Sequence, residues 1–259
     1  MPVKKNKNNI KWSKVAIVGI ESAIVLIAFV IVAAALAFVV LNMGFFTTQK
    51  SKETIGSGLG EASTALEIDG SVVAHVSKTG QNITYIDVPL KLSAGKSPVD
   101  LTPGKSTVAY WSPNRGVSYV NIYVSALSSA TYNTVESVIK AFNDTSYPNL
   151  TYTIGNTNYT YHIDGYGYAY IAVNETSTHS SSGRIDNVSI AVIAWVTNIN
   201  NDKVLDPGEK VILVIFFGKK VAPQSYDIIK AEIKVPIGAA LTIDRSIPPS
   251  LTQEIVDLG

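Results

Sequence analysis

"KVAIVGIESAIVLIAFVIVAAALAFVVLNMGFF", residues 14–46, carries one carboxylate, Glu21, in a run that has no other charge from Val15 until Lys50. No proline interrupts residues 15–46, and Ala, Ile, Val and Leu fall on every face of a helical projection. The run therefore predicts a helix that is buried all round in its working state. Its 32 residues would extend roughly 48 Å at 1.5 Å per residue, against a hydrocarbon core of about 30 Å. A cleavable secretory signal is shorter and ends at a small-residue processing site. Two readings follow: a signal anchor that holds an outer domain at the membrane, or a helix that sits in the membrane for a time and then packs among copies of itself. Glu21 bears on the choice, because an acid in hydrocarbon costs about 2.5–3.5 kcal/mol on insertion scales for the comparable Asp.

Upstream of the run, residues 1–16 hold Lys4, Lys5, Lys7, Lys11 and Lys14 and no acid. Such a cluster beside an apolar helix is a cytoplasmic topological signal. Five of the 21 basic residues lie there, which leaves 16 against 20 acidic ones. The body is thus mildly acidic, and nucleic acid is a poor partner for it. The chain has no cysteine, so disulfides are excluded. A cut between Ala16 and Ile17 would remove all five lysines and leave Glu21 as the fifth residue. The freed α-amino group of Ile17 on a neighbouring subunit could then neutralise that carboxylate, which a helical bundle would not tolerate unpaired.

The Lys-rich leader, the small residue before the cut, Glu at the fifth mature position and the unbroken apolar helix resemble the class III signal of type IV pilins. Residues 19–70, about a fifth of the chain, resemble archaeal flagellins (archaellins) more specifically. The resemblance implies cleavage by a membrane prepilin peptidase, transient membrane insertion, and polymerisation by the membrane assembly machinery into an extracellular filament whose core is these helices. One departure is that Ala16, preceded by Val15, stands where the family usually has Gly before the cut.

After Phe46 the helix predicts one wet face, with Ile55, Leu59, Ala62 and Leu66 at helical spacing. Gly56, Gly58 and Gly60 each lower helix propensity by about 1 kcal/mol relative to Ala, so a bend or fray is expected before Asp69 and Gly70. That stretch reads as a plain linker or as a flexible neck. From Ser71 onward, short alternating runs separated by turn residues predict an antiparallel, Ig-like β-sandwich, with one helix over residues 133–143. The fold class is α+β: residues 1–16 a leader, 17–66 an assembly helix and neck, 67–259 an extracellular β domain. "VSIAVIAWV" and "KVILVIFF" are apolar on both faces and are expected at the centre, between a second sheet and neighbouring subunits.

Six N-x-[ST] sequons, at Asn82, Asn143, Asn149, Asn158, Asn174 and Asn187, suit a glycosylated extracellular surface, or else a polar β surface that matches the motif. In "NINNDKVLDPGE", the residues Asn198, Asn200, Asp202, Asp206 and Glu209 occupy positions 1, 3, 5, 9 and 12 of a calcium loop, and Val204 would offer its main-chain carbonyl at position 7. Position 6 is Lys203 instead of Gly, and strands flank the loop, so a Pro-Gly hairpin turn is the competing reading. Archaellins also carry acidic loops of this kind. His75, His162 and His179 adjoin no nucleophile or acid motif, and neither a phosphate loop nor zinc spacing occurs, so an enzyme is not expected. The sequence thus points to a homopolymeric filament subunit on the cell surface, made from a precursor in the cytoplasmic membrane. An archaellum for swimming is the first expectation. An adhesive type IV-like pilus and a membrane-anchored surface binding domain are the alternatives.

Overall fold

A computed structural model of the protein describes residues 10–63, 66–78, 82–93, 97–144, 151–154, 157–175 and 183–259. The chain divides into two units, one ending at Gly58 and the other beginning at Leu59. Helix α1, Ile10–Ser63, is 54 residues long. It runs on through Gly56, Gly58 and Gly60, where a fray was expected. Three glycines among good helix formers are not enough to end a helix this long. Where the apolar run gives way, the hydroxyls of Thr47, Thr48 and Thr54 donate to the carbonyls four residues back, and Lys50 pairs with Glu53 at 2.7 Å.

The second unit is built from strands. The first seven are β1 (Leu66–Ile68), β2 (Val73–Val76), β3 (Ile83–Leu92), β4 (Val99–Asp100), β5 (Thr107–Ser112), β6 (Val117–Tyr119) and β7 (Tyr123–Leu127). Helix α2 (Val135–Asn143) follows, and then β8 (Thr151–Ile154), β9 (Thr157–Ile163), β10 (Ala169–Glu175) and β11 (Gly183–Ile185). The chain continues through β12 (Ser189–Thr197), β13 (Val204–Leu205), β14 (Lys210–Phe217), β15 (Ile228–Lys234), β16 (Leu241–Ser246) and β17 (Ile255–Asp257).

The largest sheet runs β17-β2-β3-β14-β12-β7, with β1 added on β3. A second sheet is β16-β15-β5-β6, a third is β11-β10-β9-β8, and β13 pairs with β4. Among the described residues strand pairing is antiparallel except for β7 beside β12, which is parallel. That exception is what α2 and the third sheet make possible, since they occupy the long connection from β7 to β12.

Strand β12 shows why the large sheet is central. Ala191, Ile193 and Trp195 join one core with Val108, Tyr110, Ile229 and Ile233 of the second sheet. Ile190, Val192 and Ala194 join another with Val138 and Phe142 of α2 and with Ile163 and Ala169 of the third sheet. Both faces are therefore covered by the chain itself. The expectation that neighbouring subunits cover one face of β12 and β14 is corrected: the amphipathic α2, capped by the Thr134 side chain accepting from the Ser137 amide, does so with the third sheet. Full burial of each such aliphatic side chain contributes about 1.5–3 kcal/mol.

Among the described residues two non-glycines adopt left-handed backbone, Asn201 (φ 60°) and Tyr226 (φ 68°). Asn tolerates this region, whereas for a bulky residue it costs about 1–2 kcal/mol.

Candidate functional site

Three features inherited from the sequence can act: the apolar helix with Glu21, the sequons, and the loop 198–209. On α1 the large apolar side chains from Ile20 to Leu59 are all exposed, from 55% at Val39 to 76% at Phe29. Within it, Gly19–Leu59 is long and apolar enough to cross a membrane. Contiguous apolar surface on this scale marks a binding or membrane face. Glu21 is exposed on the same helix, one turn from Ile24 and Val25, so whatever covers those residues also covers the carboxylate. Ala16 and Ile17 lie in helical backbone.

The sequon asparagines fall into different surroundings. Asn143, the last residue of α2, is tied at both ends of its amide: Nδ2 donates to the Ile163 carbonyl at 2.6 Å, and Oδ1 accepts from the Ile163 amide at 3.0 Å. Asn82 accepts from Gln224 Nε2 at 3.0 Å. Asn158 and Asn174 are register partners on β9 and β10, and Asn187 is exposed just before β12. Asn149 lies outside the described residues.

In the loop, the side chains of Asn200, Asp202 and Asp206 converge. Asn200 Nδ2 donates to Asp202 Oδ2 at 2.9 Å and to Asp206 Oδ2 at 2.7 Å. The amide thereby relieves repulsion between two carboxylates, and turned over it would add an oxygen beside them. Asn198 and Glu209 stand apart from this trio. Asn198 donates to the Ser128 carbonyl at 2.6 Å and accepts from the Asn201 amide at 2.7 Å. Glu209 is 1% exposed; it accepts from the amides of Ile199 and Asp206 at 2.7 and 3.1 Å and from Trp195 Nε1 at 3.2 Å. Its carboxylate braces the loop against the core end of β12. Among the described residues no three His, Asp or Glu side chains gather as a metal site, so any cation here would rest on two carboxylates, an amide and main-chain oxygens such as that of Val204. Beside the loop, hydrogen bonding from Lys105 and Thr102 holds the Asp100 carboxyl down at about 2.

Among the described residues the histidines do not form a catalytic set. His75 Nε2 meets Asp87 Oδ2 at 3.0 Å and stacks on Tyr85 with ring centroids 4.2 Å apart. Burial raises the Asp87 carboxyl, and the His75 hydrogen bond partly offsets it. Gly167 (φ 83°) closes on the same Tyr85 ring, which a Cβ there would meet at 2.6 Å. The cluster thus packs the third sheet onto the first. His162 stacks on Tyr170, its pKa lowered by burial, and His179 lies outside the described residues.

The family profile described as "Archaeal-type flagellin" matches residues 16–245. "Probable flagellin 1" of Aeropyrum pernix is 39% identical over 94% of this chain and 97% of its own length. Among solved structures, the crystal structure of archaeal flagellin FlaB1 from Methanocaldococcus jannaschii aligns with a TM-score of 0.50 at 15% identity, over 75% of this chain and 96% of that one. The archaeal flagellum of Methanospirillum hungatei strain JF1 aligns at 0.51 and 22% identity, over 90% of this chain and 94% of that one. These two likenesses concern the fold.

Proposed function

Since the chain belongs to the archaeal-type flagellin family, we propose that it is processed to begin at Ile17 and polymerises through α1 with Glu21 paired to the Ile17 amino group of a neighbouring copy. It is a structural, non-enzymatic subunit of an archaeal filament that serves motility, and the filament is a homopolymer on the cell surface. The observation that carries the reading is the helix whose apolar side chains from Ile20 to Leu59 are all exposed. A subunit in that state requires a bilayer or other copies of itself around the helix. In this reading a prepilin peptidase removes residues 1–16 with their five lysines, and the assembly machinery draws the helix out of the membrane into the bundle. The carboxylate that was costly in hydrocarbon then gains a cation.

The same reading places N-linked glycans on sequons of the β unit such as the exposed Asn187, while Asn143 serves the α2–β9 junction. It also gives the trio Asn200, Asp202 and Asp206 a calcium ion. Two carboxylates put the affinity in the range of extracellular modules, Kd about 10⁻⁴–10⁻³ M.

Filaments sheared from cells and analysed by intact-mass and N-terminal peptide mass spectrometry test the processing and glycosylation together. The expected subunit starts at Ile17 and is heavier than its bare sequence. A start at Met1, or beyond Phe46, would sink the assembly reading; a mass equal to residues 17–259 would remove the glycans alone.

A further inference from the structure

Asp87, on β3, is 8% exposed, and its surroundings leave it half satisfied. Oδ2 meets His75 Nε2 at 3.0 Å, while Oδ1 is buried with no hydrogen-bond partner among the described residues. On the neighbouring strands its register partners are Val73 and Val214, whose side chains offer no donor. Burying a carboxylate in this way costs far more than burying the neutral acid.

His75 links this acid to the medium. Its ring stacks on Tyr85, and it lines a cleft of about 260 Å³ between β2, α2 and the turn at residues 165–167 of the third sheet. The seam between that layer and the first sheet is tight here. Gly167 closes on Tyr85, where a Cβ would meet the ring at 2.6 Å, and Tyr85 packs on Phe216 with ring centroids 5.4 Å apart.

We propose that the His75–Asp87 pair is a proton-held latch. While the pair keeps a proton, α2 and the third sheet stay closed on the first sheet; when an alkaline medium withdraws it, the seam opens locally. The inference goes beyond the filament reading and does not depend on polymerisation.

The facing groups fix the direction of the response. Glu136 on α2 and Glu254 in the segment before β17 are acids, Lys78 after β2 is a cation, and Tyr166 stands at the turn. The Tyr85 phenol is raised by burial and then by the charges of Asp87, Glu136 and Glu254. With one proton on the pair, either His75 is a cation beside a carboxylate or both groups are neutral. Without it, a buried anion remains near two further acids, so loss of the proton from either member acts in the same sense. Burial raises the Asp87 carboxyl above the ordinary range, partly offset by the His75 hydrogen bond. The stability this gives the closed seam is complete below the ordinary carboxyl range and is lost as pH rises through the raised value. Asp100 responds in the opposite sense, since its carboxyl is lowered and its contribution is lost in acid.

Hydrogen exchange read by mass spectrometry on the full chain, in filaments and in detergent alike, tests the latch once rates are corrected for the intrinsic effect of pH. The expected result is that protection of α2, β9 and β10 falls about tenfold or more between about pH 4 and about pH 8, while β5 and β15 keep theirs. Asp87→Asn, neutral at every pH, removes the fall. Should that variant fail to fold, Glu136→Gln on the exposed side of α2 keeps the test decisive: with one facing anion fewer, the fall is smaller and is complete at a lower pH. An equal fall in Asp87→Asn, no fall in the unmutated chain, an equal fall in β5 and β15, or an unmoved profile in Glu136→Gln each overturns the inference. None of these outcomes bears on whether the chain polymerises, which the sheared filaments decide.

Discussion

Helix α1 and strand β12 are comparably apolar and meet opposite fates. From Ile20 to Leu59 the large apolar side chains of α1 stay exposed, whereas seven of the nine residues of β12 are buried, on both of its faces. The difference lies in what the rest of the chain supplies. Around β12 it provides a second sheet on one side and α2 with a third sheet on the other, so the strand is complete within one molecule. For the helix the missing environment must come from outside the chain, in the filament from other copies. Apolar content alone does not distinguish a core from an interface; the presence or absence of partners in the same chain does.

Glu21→Ala should break the comparison most severely. Removing one partner of a buried ion pair costs about 3–5 kcal/mol, repeated at every subunit, so filament yield should fall by well over tenfold while the precursor still inserts into membrane. Normal filaments at normal yield, measured by shearing and sedimentation, would show that the carboxylate has another purpose. Folding of the β unit should be untouched.

Trp195→Ala should do the reverse, acting within the subunit. Trp195 is fully buried and its Nε1 donates to Glu209, so the cavity and the lost donor should lower stability by about 3–5 kcal/mol. Calorimetry of filaments should show the β transition falling. A transition unchanged to within the scatter of repeat scans would mean that the β12 end is not core.

The smallest effect concerns the loop. At calcium tenfold above Kd, linkage stabilises the β unit by about 1.4 kcal/mol, so chelator should lower its transition and calcium restore it. Asp202→Asn with Asp206→Asn should abolish the response. Glu209→Gln should destabilise whether or not calcium is present, because that carboxylate braces the loop from inside. Equal melting of the unmutated filament in chelator and in millimolar calcium would leave the loop as a turn.

These contrasts also mark how far the sequence could be read. The helix was legible because an unbroken apolar run of this length has few physical interpretations. The centrality of β12 and β14 was legible from their two apolar faces, but what covers the second face was not. Amphipathicity shows that α2 has a sticky side without showing where it sticks. The parallel β7–β12 pair escaped for a related reason: register and direction are set by tertiary packing. At the loop, spacing alone treats Glu209 as equivalent to Asp202, since a ligand and an internal brace can be the same residue type at the same interval. Asn143 is a similar case, because its sequon is equally a side chain closing the α2–β9 junction. Tyr226 offers no signal at all in one sequence, where a left-handed tyrosine looks like any other.

The exposed helix has a further consequence for supply. Covering a large apolar side chain contributes about 1.5–3 kcal/mol, and α1 carries more than fifteen of them uncovered, so a processed subunit free in water would lie tens of kcal/mol above one in lipid or in the polymer. No reservoir of dissolved subunits can accumulate outside the cell. Under the proposed assembly, growth draws on the membrane at the filament's base, and a tip broken off by shear is not rebuilt from the surrounding medium.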